Sequence, residues 1–462
     1  MRSSHALVAL ALLSACGGEA PPPDLSGAPV VLVVFDALAA GHVGHLGGGR
    51  PTTPNLDDLA AEGVTYTQAF APAPYTLASI SSLFTGRLPD RHGVTQGEHV
   101  LPPEEVTLAE VFAAEGYQTF GAVANIQGGT IHDLEQGFEV HDELFRSEER
   151  VMEIVPPEAF VPVLEDWLTE RDPARPPFFY LHVLQPHMPY DAPAEYREDF
   201  LDPAYRGAFR EGMGREWMTK FAHEGGQMHL GTGPGHIRPA DGQAIQDLYD
   251  ANIRRCDTQL GTIRRALEEA GLYDEALIVV TSDHGEAFWQ HGYVDHSRQL
   301  YDPMMQIPLV VKLPADAGVS GRRVDELTSL MDLFPSVCAW LDVAAPQELD
   351  GRLLPGLFGQ PADPDRELYF RTFHREPSVA LRSADRKVLI DRLDKQEPEQ
   401  ELVFDLAADP GEQAPLATPD PADLARLRAR EAELLALEAG TVSTEGPSAA
   451  EQDLIEHLGY TE

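Results

Sequence analysis

Cysteine is scarce: three in 462 residues, at Cys16, Cys256 and Cys338, too few for a disulfide-built scaffold. At most one bridge, Cys256 to Cys338, stays open once Cys16 is set aside for the reason given below. Basic residues are few as well. The chain carries 34 Lys plus Arg against 75 Asp plus Glu, a formal charge of -41, which excludes the basic footprint needed to hold nucleic acid or anionic lipid headgroups. The acidity reads as a solvated surface. It would repel an anionic substrate, so a site for one needs a metal ion or local cations. Past the N-terminus no apolar run is long enough to cross a bilayer, and no motif fixes an oligomeric state. What is present, 43% hydrophobic residues over this length, is enough to fill a sizeable core.

The first sixteen residues, MRSSHALVALALLSAC, combine a basic start at Arg2, an apolar run from Ala6 to Leu13, and Leu13-Ser14-Ala15-Cys16 ahead of Gly17. The run is too short to span a membrane and has the architecture of a secretory signal. Its ending resembles the bacterial lipobox, which implies cleavage after residue 15 and acylation of Cys16. The expectation is an exported lipoprotein, periplasmic or at the cell surface, that meets the membrane only through Cys16. An ordinary signal peptide with an incidental cysteine is the alternative. Either way, residues 16–29, rich in Gly and Pro, form a flexible tether.

Val30 to Phe35 is a continuous apolar, β-branched run, which predicts a strand buried on both faces of a largely parallel sheet; it ends at Asp36. Ala276 to Thr281 runs into Ser282-Asp283-His284-Gly285, and Pro177 to Leu184 runs into Gln185-Pro186-His187. Ligands in open α/β sheets sit beyond the carboxyl ends of strands, so three strands deliver Asp, His and Asp-His to one rim. Helices are expected to open after Thr53, to run over 104–115, and to follow Ile245, Leu248, Tyr249, Ile253, Cys256, Leu260, Ile263 and Leu267, spaced at threes and fours. Cys256 falls on that apolar stripe and reads as a core thiol. Residues 202–239 lack a period and read as a long excursion on the substrate side, where Trp217, His223, His229 and His236 could line a pocket. Short strands at 368–371, 378–382, 387–390 and 402–404 predict a small antiparallel subdomain, followed by a charged helix over 421–437.

Asp36 and Asp283-His284 supply two hard carboxylates and an imidazole, a donor set suited to a divalent cation such as Mn, Zn, Mg or Ca. Singly each is weak, because an Asp at a strand end is commonly a cap or turn residue. The order VVLVVFDALAAGHVG, TTPNLDDLAAEGVTYTQAFAPAPYTLASISSLFTGRLPDRHGV, PFFYLHVLQPHMPY, VVTSDHGEAFWQHG with HSRQLYDPMMQIPLVVK, and LVFDLAADPGEQAPL is far more specific. It resembles sulfatases and their relatives in the alkaline-phosphatase superfamily over about residues 29 to 420. The resemblance implies an α/β fold, an alkaline-phosphatase-like α/β/α sandwich with a mostly parallel mixed sheet and a small C-terminal antiparallel sheet. The implied plan is a signal peptide at 1–15, a tether at 16–29, a catalytic domain at 30–360 and a C-terminal subdomain with terminal helices at 361–462.

In that family the nucleophile opens a helix within a Cys-x-Pro-x-Arg pattern closed by Leu-Thr-Gly. Counting back from Phe84-Thr85-Gly86 puts Thr76 at the cysteine position. A helix N-terminus there would dock an anionic ester, and a metal could depress the hydroxyl's pKa; the plainer alternative is that Thr76 caps the helix. Without the cysteine, the formylglycine of ordinary sulfatases cannot form. Ala78 and Ile80 replace the motif's Pro and Arg, Ala37 replaces the second Asp of an Asp-Asp pair, and Gln185 replaces the Asp of Asp-Pro-His. A threonine nucleophile is similar to that of the nucleotide pyrophosphatase/phosphodiesterases and the lipoteichoic-acid synthases, which form a phosphothreonine. The implied site holds one ion through Asp36, Thr76, Asp283 and His284.

Four more residues align with substrate-side positions of the family. Asn125 would donate to the developing oxyanion, and His187 or His296 would protonate the leaving oxygen. His291 would contact substrate or orient the Asp283-His284 turn. His42, His45 and His92 read as packing or surface residues. The expected function is a metal-dependent hydrolase or transferase for anionic esters, phosphate ahead of sulfate. A sulfatase proper is the first alternative, and a catalytically eroded, surface-anchored binding relative is the second.

Overall fold

The structure, a computed structural model, describes residues 25–438 except 96, 147–153, 215–216, 218–219, 221–227, 233–235, 347, 374–375 and 394–397. The signal-peptide and acylation expectations lie outside the described residues, as does His223. Among the described residues no helix is long and apolar enough to cross a membrane.

A strand with no polar side chain before its last residue has no wet face to offer, and β1 (Val30–Asp36) is buried at every position. β5 (Pro177–Pro186) and β6 (Leu277–Ser282), which flank β1 in parallel register, are likewise buried at every position, although each carries polar side chains. In chain order the other strands of this sheet are β2 (Val64–Phe70), β3 (Gln118–Val123), β4 (Val140–Glu143), β9 (Gln306–Lys312) and β10 (Arg322–Ser329). A short hairpin of β7 (Ala287–Phe288) and β8 (Val294–Asp295) stands apart. The eight-stranded order is β10-β2-β9-β6-β1-β5-β3-β4. Only β9 pairs antiparallel, with β2 and β6, so the sheet is mixed and mostly parallel. Strands β1, β3, β5 and β6 lie side by side around the centre and release their chains at one edge.

The helix expected over 104–115 begins later, at Leu108. Thr107 accepts from the Glu110 N–H while the Glu110 carboxylate accepts from the Thr107 N–H, a reciprocal cap that sets the start. The amphipathic helix spans Pro239–Glu269 and buries Cys256. Cys256 and Cys338 are both free thiols, so the one disulfide left open by the sequence does not form.

The second sheet contains β11 (Leu368–Arg371), β12 (Val379–Arg382), β13 (Arg386–Asp391) and β14 (Gln400–Asp405), antiparallel in chain order, with a helix at Pro421–Glu438. It packs on the main sheet through apolar side chains such as Phe370 against Phe70, and buried ion pairs tie it to the segments around that sheet. Arg371 pairs with Asp90, Arg366 with Asp332 at 2.6 Å, and the fully buried Lys387 lies 2.9 Å from Asp302 and 2.6 Å from Glu412. Arg382 adds a contact to Asp302 at 3.2 Å while its guanidinium covers the Phe70 ring.

One ammonium thus serves two buried carboxylates, and it serves them unequally. Burial opposes ionisation of Asp302, yet Lys387 and Arg382 hold it down to about 2; burial pushes Glu412 up to about 7 despite Lys387. A depressed carboxyl adds stability above its unfolded pKa, so the Asp302 contribution is lost as pH falls through about 4 towards 2. A raised carboxyl does the reverse, so stability is also lost as pH rises from about 4.5 through 7. Urea unfolding across pH should show both limbs, and Glu412→Gln should flatten only the upper one. Lys387→Met should cost about 3–5 kcal/mol at neutral pH by leaving buried carboxylates uncompensated.

Candidate active site

Four strand ends and one helix start supply the site. The β1–β5 register shifts between Phe35 and Asp36, and Ala37 takes a left-handed φ of 61°, so the chain turns sharply just past the Asp36 carboxylate. Ser282 at the end of β6 locks this turn. Its hydroxyl lies 2.6 Å from the carbonyls of Phe35 and His284 and accepts from the Leu38 N–H at 2.8 Å. The N–H groups of Ala37 and His284 both donate to Asp283 Oδ1, at 3.0 and 2.8 Å. His187 follows β5 and donates its N–H to the Asp36 carbonyl.

Thr76 opens the helix Thr76–Thr85, with the extended Tyr75 as its N-cap. The helix is pinned to the strand ends: Ser79 Oγ donates to the Asp283 carbonyl at 2.6 Å, and the Ser297 N–H donates to the Pro74 carbonyl at 2.9 Å. Thr76 is therefore the first helical residue rather than the cap, and its Oγ1 lies 3.2 Å from His284 Nε2. The same Nε2 lies 3.6 Å from Asp36 Oδ1 and 3.6 Å from Asp283 Oδ2. Asn125, beyond β3, donates its side-chain N–H to Asp36 Oδ2 and accepts from the Gln127 N–H.

Burial and the neighbouring Asp283 charge push Asp36 well above the usual carboxylate range, whereas His284 and His182 hold Asp283 below it against the effect of burial. Asp283 Oδ2 is buried with no hydrogen-bond partner. Two buried carboxylates, a hydroxyl and an imidazole converging at these spacings are the donor set of a divalent cation, so the residues present fit such an ion. His284 suits that purpose. Its Nδ1 faces the Gly285 carbonyl at 2.8 Å and must carry the proton, which leaves the Nε2 lone pair for the cluster; burial lowers its pKa to about 4.

His187, His296 and His284 form a row of rings, with centroids 4.9 Å and 4.4 Å apart. His187 is neutral, brought down to about 3 by burial and by His296, and its Nδ1 faces the Met188 carbonyl. A ring protonated there has a lone pair, not a proton, at Nε2. His296 is the opposite case. Burial would lower it, but Asp295 at 2.8 Å and Glu286 at 3.5 Å from Nδ1 raise it well above its ordinary value. Tyr190 donates to the far oxygen of Glu286. Of the two histidines expected to protonate a leaving group, His296 is the one placed beside carboxylates, and His187 the one placed against a backbone carbonyl.

The structure thus brings together Asp36, Thr76, Asn125, Asp283, His284, His187 and His296. His291 has different company: its ring stacks on Tyr301 at 3.7 Å, Tyr301 packs on Phe404 of the second sheet, and Lys387 and Asp302 act on its charge. Those contacts account for the ring without a substrate. Asn125 spends one N–H on orienting Asp36, a duty beyond the expected oxyanion donation. His42 pairs with Asp250, His45 with Asp57 and His92 with Ser82, in keeping with packing roles. In the 202–239 excursion Trp217 packs on Phe209, while a cleft of about 590 Å³ is lined by Pro189, Asp191, Glu211 and Met213. Sequence reasoning passed over Glu286, Asp295 and His182. Only the placement of Glu286 and Asp295 on either side of the Phe288–Tyr293 turn hinted at the first two, and His182 was hidden as one residue of an apolar strand.

Comparison with known proteins agrees with this architecture. The sulfatase sequence-family model matches residues 29–343. An ulvan-active sulfatase of Formosa agariphila is 24% identical over 73% of this chain and 66% of its own length, just under two thirds. An arylsulfatase of Clostridium perfringens is 23% identical over 83% of this chain and 89% of that protein. In fold, the phosphonate monoester hydrolase of Agrobacterium radiobacter superposes with a TM-score of 0.70 at 23% identity, over 89% of this chain and 95% of that one. With most of its length matched by that family model and its mixed sheet matched by that fold, the chain belongs to the sulfatase family of ester hydrolases.

Proposed function

We propose that this chain is a divalent-metal-dependent hydrolase, or transferase, of anionic esters whose nucleophile is the Thr76 hydroxyl, with phosphorus esters ahead of sulfate esters. The observation that carries the reading is the Thr76 hydroxyl, first on its helix and 3.2 Å from His284 Nε2 within the Asp36–Asp283 pair. A divalent cation held by Asp36, Asp283, His284 and Thr76 would lower the hydroxyl's pKa and offset the charge of the ester.

Thr76 Oγ1, its proton released to solvent, attacks in line and forms an ester to the enzyme as the bond to the departing oxygen breaks, while His296 gives its proton to that oxygen. Glu286 and Asp295 keep that proton available, and the Asn125 amide would donate to the developing oxyanion. In the second step water attacks the enzyme ester, one proton returns to His296, and Thr76 is regenerated; an alcohol in place of water gives transfer. A threonine ester of phosphate is a serviceable intermediate, and the phosphonate monoester hydrolase fold is in accord with phosphorus chemistry. The sulfatase reading is favoured by the Formosa and Clostridium relatives, both sulfatases, and substrate comparison separates the two. We also propose export and acylation at Cys16, on the strength of the LSAC ending alone.

Thr76→Ala should lower turnover at least 10³-fold on every substrate, with the urea midpoint held within about 1 kcal/mol; retained activity would end the assignment. A panel of aryl sulfate, phosphate monoester, phosphate diester and phosphonate monoester at matched leaving groups should give its highest kcat/KM on a phosphorus ester. His296→Gln should cost about 10²–10⁴-fold on esters with alkyl leaving groups and far less on nitrophenyl esters, which depart without a proton. Asp36→Asn should raise the stability of the metal-free protein by about 1–2 kcal/mol, since it removes a buried like charge. It should also abolish the stabilisation of about 2.7 kcal/mol expected for wild type at 100 times the Kd of its metal. A wild-type protein that no divalent ion stabilises would point to the eroded binding relative instead.

A further inference from the structure

Strand β5 buries an imidazole, His182, among mostly apolar and aromatic side chains. An imidazole buried this deeply normally has a hydrogen-bond partner to offset its desolvation. His182 is fully buried, yet neither ring nitrogen has one. On the Nδ1 side the chain comes in flat: a Cβ added to Gly128 would lie 2.7 Å from Nδ1, so only a glycine backbone fits there. On the other side Nε2 lies 3.8 Å from Asp36 Oδ2. One ring nitrogen of His182 and one oxygen each of Asp36 and Asp283 all lie within 4.8 Å of one another. The sheet enforces this placement. His182 is paired with Val34 of β1, two residues before Asp36, and with Val123 of β3, two before Asn125.

We propose that His182 is a further ligand of the ion held by Asp36, Asp283, His284 and Thr76, approaching from the interior of the sheet. The proposal rests on the metal reading given above. Two carboxylates and two neutral imidazoles balance a dication, whereas three carboxylates would leave a net negative charge facing an anionic ester. A set with two imidazoles also favours Zn or Fe over Ca and Mg, which prefer oxygen donors throughout.

The test is X-ray absorption on the full chain loaded with one equivalent of Zn²⁺, where the scattering of imidazole rings counts the histidine ligands. Two imidazoles are expected for wild type and one for His182→Ala, with zinc affinity lowered at least tenfold and calcium affinity nearly unchanged. A wild-type count of one, removed by His284→Ala and untouched by His182→Ala, would overturn the proposal and leave the proposed function standing. Failure of wild type to bind any divalent ion would overturn that function as well. The wild-type count needs no variant, so poor folding of His182→Ala would not blunt the test.

Discussion

Two carboxylates, Asp36 and Asp283, are buried side by side at the ends of the adjacent parallel strands β1 and β6. Like charges about 4 Å apart repel by about 4 kcal/mol even at the effective dielectric typical of a protein. The surrounding construction answers that repulsion. Backbone N–H groups of Ala37 and His284 are aimed at one carboxylate, the Asn125 amide at the other, and imidazoles close the remaining space. The arrangement is costly as a scaffold and sensible as a receptacle for positive charge. The strained turn at Ala37, the Ser282 lock and the Ser79 tether all hold that receptacle in shape.

Three histidines in one row show how a single side-chain type is assigned different duties by its neighbours. His187 and His284 each face a backbone carbonyl through Nδ1, which fixes their protons on the outer side and leaves Nε2 as a lone pair. His296 faces two carboxylates instead and keeps its proton. No difference among the three residues themselves announces this. The difference lies in whether the next polar atom belongs to the chain's own peptide groups or to an acid brought in by a hairpin.

What the sequence made legible follows from where the signals were strong. Runs such as Val30–Phe35 can only be doubly buried strands, so Asp36, His187 and Asp283 were bound to emerge at one rim. Thr76 was located by its spacing from Phe84-Thr85-Gly86, and the helix does begin there. The expected start at 104 was wrong by four residues because a reciprocal side-chain cap at Thr107 outweighs the helix-forming character of Glu104 and Glu105. His291 was harder. Trp289 and Asp295 both adopt left-handed φ values, and these turns swing His291 onto Tyr301 and His296 onto His284. Two histidines five residues apart look equivalent on paper, and only the backbone path separates them. His182 left no signal at all, because a lone histidine within a strand looks like an ordinary interior residue until its ring is seen beside Asp36.

The seam between the two sheets sets buried ion pairs among apolar contacts such as Phe70 against Phe370. Hydration of charged groups becomes less favourable on heating, so the cost of burying Lys387, Asp302, Arg371 and Asp90 falls as temperature rises, while apolar burial gains little more per unit area. Warmth therefore tightens the attachment of the second sheet relative to the rest of the core. Cold is the condition that loosens it first, and a molecule built this way would keep the loop carrying His296 anchored best at the upper end of its working range.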